Sequence, residues 1–407
     1  EKSDKFKEIL FQKFPLSEAV QRERYQQIRN ETDIEKKKEL ADKFYSDFPK
    51  SKYLKSAFDM PAIYYRDNKL YKEALEFLKE NHNKTSIYRF YSVLQNMYKE
   101  NADPHIALEI AKLGIQRAEN ELSDPSEEKP EYLTEKEWKE QTEFYAGLNF
   151  FSYGKALYLT DNKKEAEANL EKAANLTKNE EGEINELYAR VIYENGNKPK
   201  AKNIIQNFIK DGKNTEAMID ILKAIYISEN NSDEKFDDYI AQYKSVALKE
   251  LEDKLRKEMI NKPAPGFILE DINGKKISLA ELKGKTVVID FWATWCGPCI
   301  SSFPGMKKAV EKYSDDENVK FLFVNSWERV SLENKKSNAE NFIRKNNYSF
   351  TVLMDYDDKV ISDYNVAGIP TKFVIDKNGN TKFMSIGFEG NIDQLVDEIS
   401  VMISLAN

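Results

Sequence analysis

The sequence predicts two domains: an all-α, helical-repeat-like part over residues 1–260, and an α/β part over 261–407 with a mixed central sheet flanked by helices. Three observations carry that division. At 407 residues the chain exceeds what one hydrophobic core usually encloses. Glycine is unevenly spread, six of the 15 falling before residue 261 and nine after it. The apolar period also changes, from steps of three and four residues to alternation, across the helix-breaking stretch Asn261-Lys262-Pro263-Ala264-Pro265-Gly266.

The first part reads as helix after helix. Lys72–Glu80, Ile106–Glu119, Glu165–Asn175, Lys200–Lys210 and Thr215–Ile227 each place apolar residues on one helical face. The segments 67–75, 102–108, 160–168 and 195–203 each join a short polar turn to a helix with an early Ala: Ala74, Ala107, Ala166 and Ala201. The first two Ala are 33 residues apart and the last two 35, close to the helix-turn-helix period of about 34 residues in tetratricopeptide repeats. The gap between Ala107 and Ala166 is 59 residues, and it holds the polar stretch 123–131, read as a loop. Both a repeat array and an irregular helical bundle fit this pattern. Phe236 to Met259 adds an amphipathic connecting helix before the break.

The second part alternates strands and helices. Strands are expected over Thr286–Asp290, Val319–Asn325 and Thr351–Met354, with helices over Cys296–Tyr313, Glu333–Asn346 and Asp358–Tyr364. Lys372–Asp376 and Thr381–Ile386 flank the turn Lys377-Asn378-Gly379-Asn380, a hairpin signal, and Asn391–Leu405 closes the chain as a helix.

Composition removes several function classes. The net charge is −8, of which −2 lies in 261–407, and neither part carries a basic stripe, so nucleic acid and anionic membranes are poor partners. No apolar run is long enough to span a bilayer. The chain opens on Glu1-Lys2-Ser3-Asp4, with neither an initiator Met nor an apolar segment, which reads as a mature or trimmed form. His82 and His105 stand apart and read as surface residues, so no metal site is expected.

The two cysteines form one C-x-x-C within DFWATWCGPCISSFP, residues 290–304. Half a zinc site would need two further ligands that the chain does not offer. At the start of a helix after a buried strand, Cys296 meets unpaired backbone N–H groups and the helix dipole, which stabilise a thiolate. Cys299 lies about one turn further on, within reach of the first sulfur. The pair therefore supports two-step disulfide exchange without another cofactor.

WCGPC is similar to the active site of thioredoxins, and its surroundings resemble the TlpA/ResA-type thiol-disulfide oxidoreductases of the bacterial cell envelope. The resemblance covers nearly all of 261–407. It includes Pro263-Ala264-Pro265-Gly266-Phe267, Leu282-Lys283-Gly284-Lys285 and Gly368-Ile369-Pro370-Thr371. It implies a thioredoxin fold, Cys296 as the attacking thiolate, Cys299 as the resolving thiol, and Asp290 as a buried acid that takes the Cys299 proton through water. The alternative for Asp290 is a hydrogen bond to a helix end. Pro370 corresponds to a cis-proline that presents the Ile369 backbone to substrate, with Trp295, Gly297 and Pro298 also at the binding surface. Pro304 matches the proline that kinks the active-site helix. Ser302 is a departure, because many envelope members carry Glu there.

The resemblance further implies a periplasmic or envelope location, a disulfide-containing protein client and an upstream electron donor. The Gly-Pro dipeptide favours a reductant. The Tyr- and Phe-rich helices would bind a protein partner, although most such aromatics belong to cores. Two other functions stay open. A peroxiredoxin-type peroxidase shares the Pro263-Ala264-Pro265 opening, but its Pro and Thr/Ser positions before the cysteine hold Ile289 and Ala293 here. A helical scaffold with an accessory redox domain is the other.

Overall fold

The computed structural model describes residues 11–125, 129–388 and 390–407. Glu1–Asp4 and residues 126–128 of the expected loop lie outside them. Two compact units divide at Ala201/Lys202, inside one helix.

The described part of the first unit is helical. Its helices are α1 (Glu18–Asn30), α2 (Ile34–Asp47), α3 (Leu54–Asp67), α4 (Tyr71–Asn81), α5 (Ile87–Lys99), α6 (Pro104–Ser123), α7 (Glu135–Leu159), α8 (Lys163–Leu176) and α9 (Gly182–Glu194), with α10 (Lys198–Lys210) crossing the division. The four turn-plus-Ala segments open α4, α6, α8 and α10, and all four Ala are buried. The turns share one geometry. Lys69, Asn101, Asp161 and Gly196 each adopt positive φ, and the next N–H returns to the preceding helix, as in Leu70 to Tyr65 O at 2.8 Å. This left-handed stop satisfies a helix-end carbonyl and turns the chain back, and the small Ala lets the next helix approach.

The second unit adds α11 (Glu216–Asn230) and α12 (Phe236–Glu258) to β1 (Lys262–Pro263), β2 (Ile268–Asp271), β3 (Lys276–Ser278), β4 (Thr286–Trp292), α13 (Gly297–Lys312), β5 (Val319–Asn325), α14 (Leu332–Lys345), β6 (Val352–Met354), α15 (Lys359–Asp363), β7 (Thr371–Ile375), β8 (Asn380–Ile386) and α16 (Ile392–Ala406). One mixed sheet runs β1-β8-β7-β4-β5-β6-β2-β3, with β4, β5 and β6 parallel and the remaining pairs antiparallel. This is the thioredoxin fold expected from the sequence.

Strands β1, β2 and β3 were not among the expected elements. They are two to four residues long and largely exposed, so they carry no apolar alternation. Pro263 fits β1 because that strand forms the edge of the sheet, where a missing N–H costs least.

All seven residues of β4 are buried, which marks the sheet centre. Alternation sorts its side chains: Val288 and Trp292 face α13, α14 and α16, while Ile289 and Phe291 face α15 and Tyr364. Phe303 of α13 is fully buried at the middle of the first side, ringed by Trp292, Phe323, Phe342, Tyr348 and Phe350. We expect Phe303→Ala to destabilise this unit by about 3–5 kcal/mol. A urea midpoint followed by Trp fluorescence checks this.

Candidate active site

Cys296 is the N-cap of α13, and the structure holds it in a disulfide with Cys299, with S–S 1.99 Å and Cα–Cα 5.3 Å. The backbone N–H of Cys299 donates to Cys296 Sγ at 3.2 Å. Cys296 is 3% exposed and Cys299 0%, so any solvent access to the pair is through Cys296. At a helix N-terminus, N–H groups and the macrodipole favour a negative sulfur over a neutral one. Gly297 and Pro298 occupy the first helical turn, where the missing N–H of proline leaves no ladder bond unmade.

The loop between β7 and the preceding helix brings a second segment to this sulfur. The Ile369–Pro370 peptide is cis, and Ile369 O lies 3.5 Å from Cys296 Sγ. In the disulfide this is a contact, since the sulfur has no hydrogen to donate. Pro370 O accepts from Gly387 N–H at 2.8 Å, and Thr371 Oγ1 donates to Gly368 O at 2.6 Å, anchoring both sides of the loop.

Asp290 sits on β4 with the parity of Val288 and Trp292, so it points to the sheet face that carries both cysteines. It is 1% exposed. Burial pushes its carboxyl up to about 6, partly opposed by Lys372. Lys372 is the register partner of Asp290 on β7, is also 1% exposed, and holds Nζ 3.6 Å from Asp290 Oδ1. That is an ion pair longer than a hydrogen bond, and neither Lys372 Nζ nor either Asp290 oxygen has a hydrogen-bond partner among the described residues. Ser302, at the departure position, is buried and donates from Oγ to Cys299 O at 2.8 Å. Pro304 lies inside α13, where it cannot donate to the ladder.

Trp295 is 40% exposed beside the cysteines. Its Nε1 donates to Trp327 O at 2.7 Å, and the Arg329 guanidinium lies 3.6 Å above its ring. Trp327 has positive φ, an uncommon state for a bulky residue, and its N–H is held by Asp358 Oδ1 at 2.7 Å. The buried Glu328 carboxylate accepts from Thr294 N–H at 2.7 Å, Thr294 Oγ1 at 2.8 Å, Asn325 Nδ2 at 2.8 Å and Asn338 Nδ2 at 3.1 Å. The loop after β5 thus clamps the residues leading into Cys296. We expect Glu328→Ala to cost about 3 kcal/mol or more, because buried donors lose a charged acceptor. Urea unfolding checks this too.

All eight sequence-predicted site residues therefore lie on β4, in the turn leading from it into α13, at the start of α13 or in the loop before β7. Lys372, Trp327, Glu328 and Arg329 were missed. Lys372 left one signal, a cation at the core parity of the apolar run Lys372–Ile375. The other three depend on which loops meet. Among the described residues no group of three His, Cys, Asp or Glu could hold a metal ion, and no helix is long and apolar enough to cross a membrane.

Residues 260–384 match the AhpC/TSA family. Thiol-disulfide oxidoreductase ResA of Bacillus anthracis is 37% identical over 131 residues, which is 32% of this chain and 72% of that protein. The ResA of Bacillus subtilis (strain 168) is 40% identical over 116 residues, 28% of this chain and 61% of that protein. The crystal structure of StoA from Bacillus subtilis aligns at 26% identity over 33% of this chain and 97% of that one, with a TM-score of 0.29. On the identity and coverage shared with the Bacillus anthracis protein, the chain belongs to the ResA-type thiol-disulfide oxidoreductases of the AhpC/TSA family.

Proposed function

We propose that this protein reduces disulfides of extracytoplasmic protein clients through Cys296 and Cys299, and that an upstream thiol donor returns it to the dithiol form. The observation that carries this reading is the cysteine pair at the N-terminus of α13, with Ile369 O beside Cys296 and Asp290 on the same sheet face.

In the first step the Cys296 thiolate attacks the client disulfide. The client S–S bond breaks, a mixed disulfide forms, and one client sulfur leaves and takes a proton. In the second step Cys299 passes its proton through water to Asp290, attacks Cys296 Sγ and releases the other client sulfur. Two electrons pass from the dithiol to the client. A carboxyl that titrates near 6 is suited to accept that proton at neutral pH. The backbone at Ile369 and Pro370 would receive an extended client segment, with Trp295, Gly297 and Pro298 on the other side. Residues 261–407 would act as the catalytic domain and 1–260 as the partner-binding one, for which the exposed Tyr45, Tyr88 and Tyr132 are the support. A place in the bacterial envelope or periplasm belongs to the same reading, and its support is the resemblance of the motifs around Cys296 to the envelope thiol-disulfide oxidoreductases.

The reduction potential tests the direction. Equilibration with glutathione buffers should place it near the thioredoxin level of about −270 mV, and a value above about −180 mV would make the protein an oxidant or isomerase instead.

A further inference from the structure

The buried cation of β7 has no part in the reaction just described, yet it faces the only carboxylate on the cysteine side of β4. We propose that Lys372 is a positioning residue for the resolving step: its ammonium holds Asp290 in the ionised, proton-accepting form beneath the cysteine pair. This rests on the reading of Asp290 as the base.

The geometry excludes a surface ion pair. Asp290 and Lys372 are opposed in register on β4 and β7, and Val374, two residues on, lies in the same cluster as Cys299 and Phe303. Lys372 therefore projects to that face, where its Nζ meets Asp290 at 3.6 Å and no hydrogen-bond acceptor among the described residues. Burying an ammonium without acceptors is costly, and a cation there for packing alone would be better replaced by an apolar residue. What it supplies is charge. An ionised Asp290 would otherwise stand alone in a low-dielectric interior, and burial would keep it protonated and useless as a base.

Few other charges bear on it. α13 presents Cys296 and Cys299. The loop after β5 brings Glu328, already occupied by Thr294, Asn325 and Asn338. The buried sides of α14 and α16 offer Ala339, Ile343, Leu395, Ile399, Met402 and Ile403. On the neighbouring strands, Phe323 of β5 is opposite Asp290, and Ser385 of β8 is opposite Lys372.

The test uses reduced full-length chain mixed rapidly with dithiobis(nitrobenzoate). Attack by Cys296 releases one thionitrobenzoate, and attack by Cys299 releases the second. The rate of the second release against pH reads the resolving step. Lys372→Met and Lys372→Gln should move its rising limb to higher pH by about 1–3 units, while Lys372→Arg keeps it near wild type. On an Asp290→Asn background the same substitutions should move nothing. A limb that stays put in both cation-free variants overturns the proposal. If wild type releases no thionitrobenzoate, the exchange reading itself fails. The Asp290 carboxyl can then be titrated by carbon-13 NMR in the oxidised chain: an upward shift without Lys372 supports the pairing, and no shift overturns it. Should Lys372→Met not fold, Lys372→Gln gives the same readout.

Discussion

Cys296→Ser is expected to abolish disulfide reduction outright, whereas Cys299→Ser should lose turnover but still complete the first half of the reaction. The difference follows from the order of the sulfurs. Cys296 caps α13 and keeps the pair's residual exposure, while Cys299 is enclosed beneath it. A client disulfide can therefore reach Cys296, and the mixed disulfide it forms has no second sulfur to release it in Cys299→Ser. Insulin turnover should fall in both variants by about a thousandfold or more, as expected when an activated nucleophile or its partner is removed. Non-reducing gels should show covalent adducts for Cys299→Ser alone. Adducts appearing instead with Cys296→Ser would reverse the assignment, and adducts with neither would remove the main support for reductase chemistry.

The second large effect concerns stability. Burial raises the Asp290 carboxyl from 3.8 to about 6, so the fold binds a proton that the unfolded chain has already released between those values. The contribution is present below about pH 4 and is lost as pH rises through 6. Two pK units correspond to about 3 kcal/mol, and at 1% exposure solvent screening gives little reason to reduce it. Wild type should therefore be less stable at pH 7.5 than at pH 5. Lys372→Met should lower stability at pH 7 by only about 1 kcal/mol more, since without its counter-charge the buried Asp290 carboxyl stays protonated at a pH where the unfolded chain has released that proton. Replacing both, Asp290→Asn with Lys372→Met, should flatten the slope and be neutral or stabilising by about 1–4 kcal/mol. Urea unfolding between pH 4.5 and 8 measures all of this. A double variant clearly less stable than wild type would mean the pair holds the fold together.

These two expectations draw on different depths of information. The C-x-x-C at a strand-to-helix junction is local chemistry, legible because the dipole effect on Cys296 needs only that a helix begins at Gly297. Strand β5 was legible to the residue, and α13, α14 and the β7–β8 hairpin to within one or two. In each, periodicity or turn residues report directly on the backbone. β1 to β3 were not, since strands this short and exposed hold their place through partners and have no pattern of their own.

By itself, then, the sequence determined the order of the longer helices and strands, the repeated polar turns before Ala74, Ala107, Ala166 and Ala201, and the redox pair. Only the tertiary structure decided that Lys372 opposes Asp290, that Glu328 holds Thr294, and that Ile369 O lies against Cys296. Each of these joins segments far apart in the chain. Their meeting depends on β4 taking β7 as one neighbour and β5 as the other, a choice made by burying both faces of the sheet together.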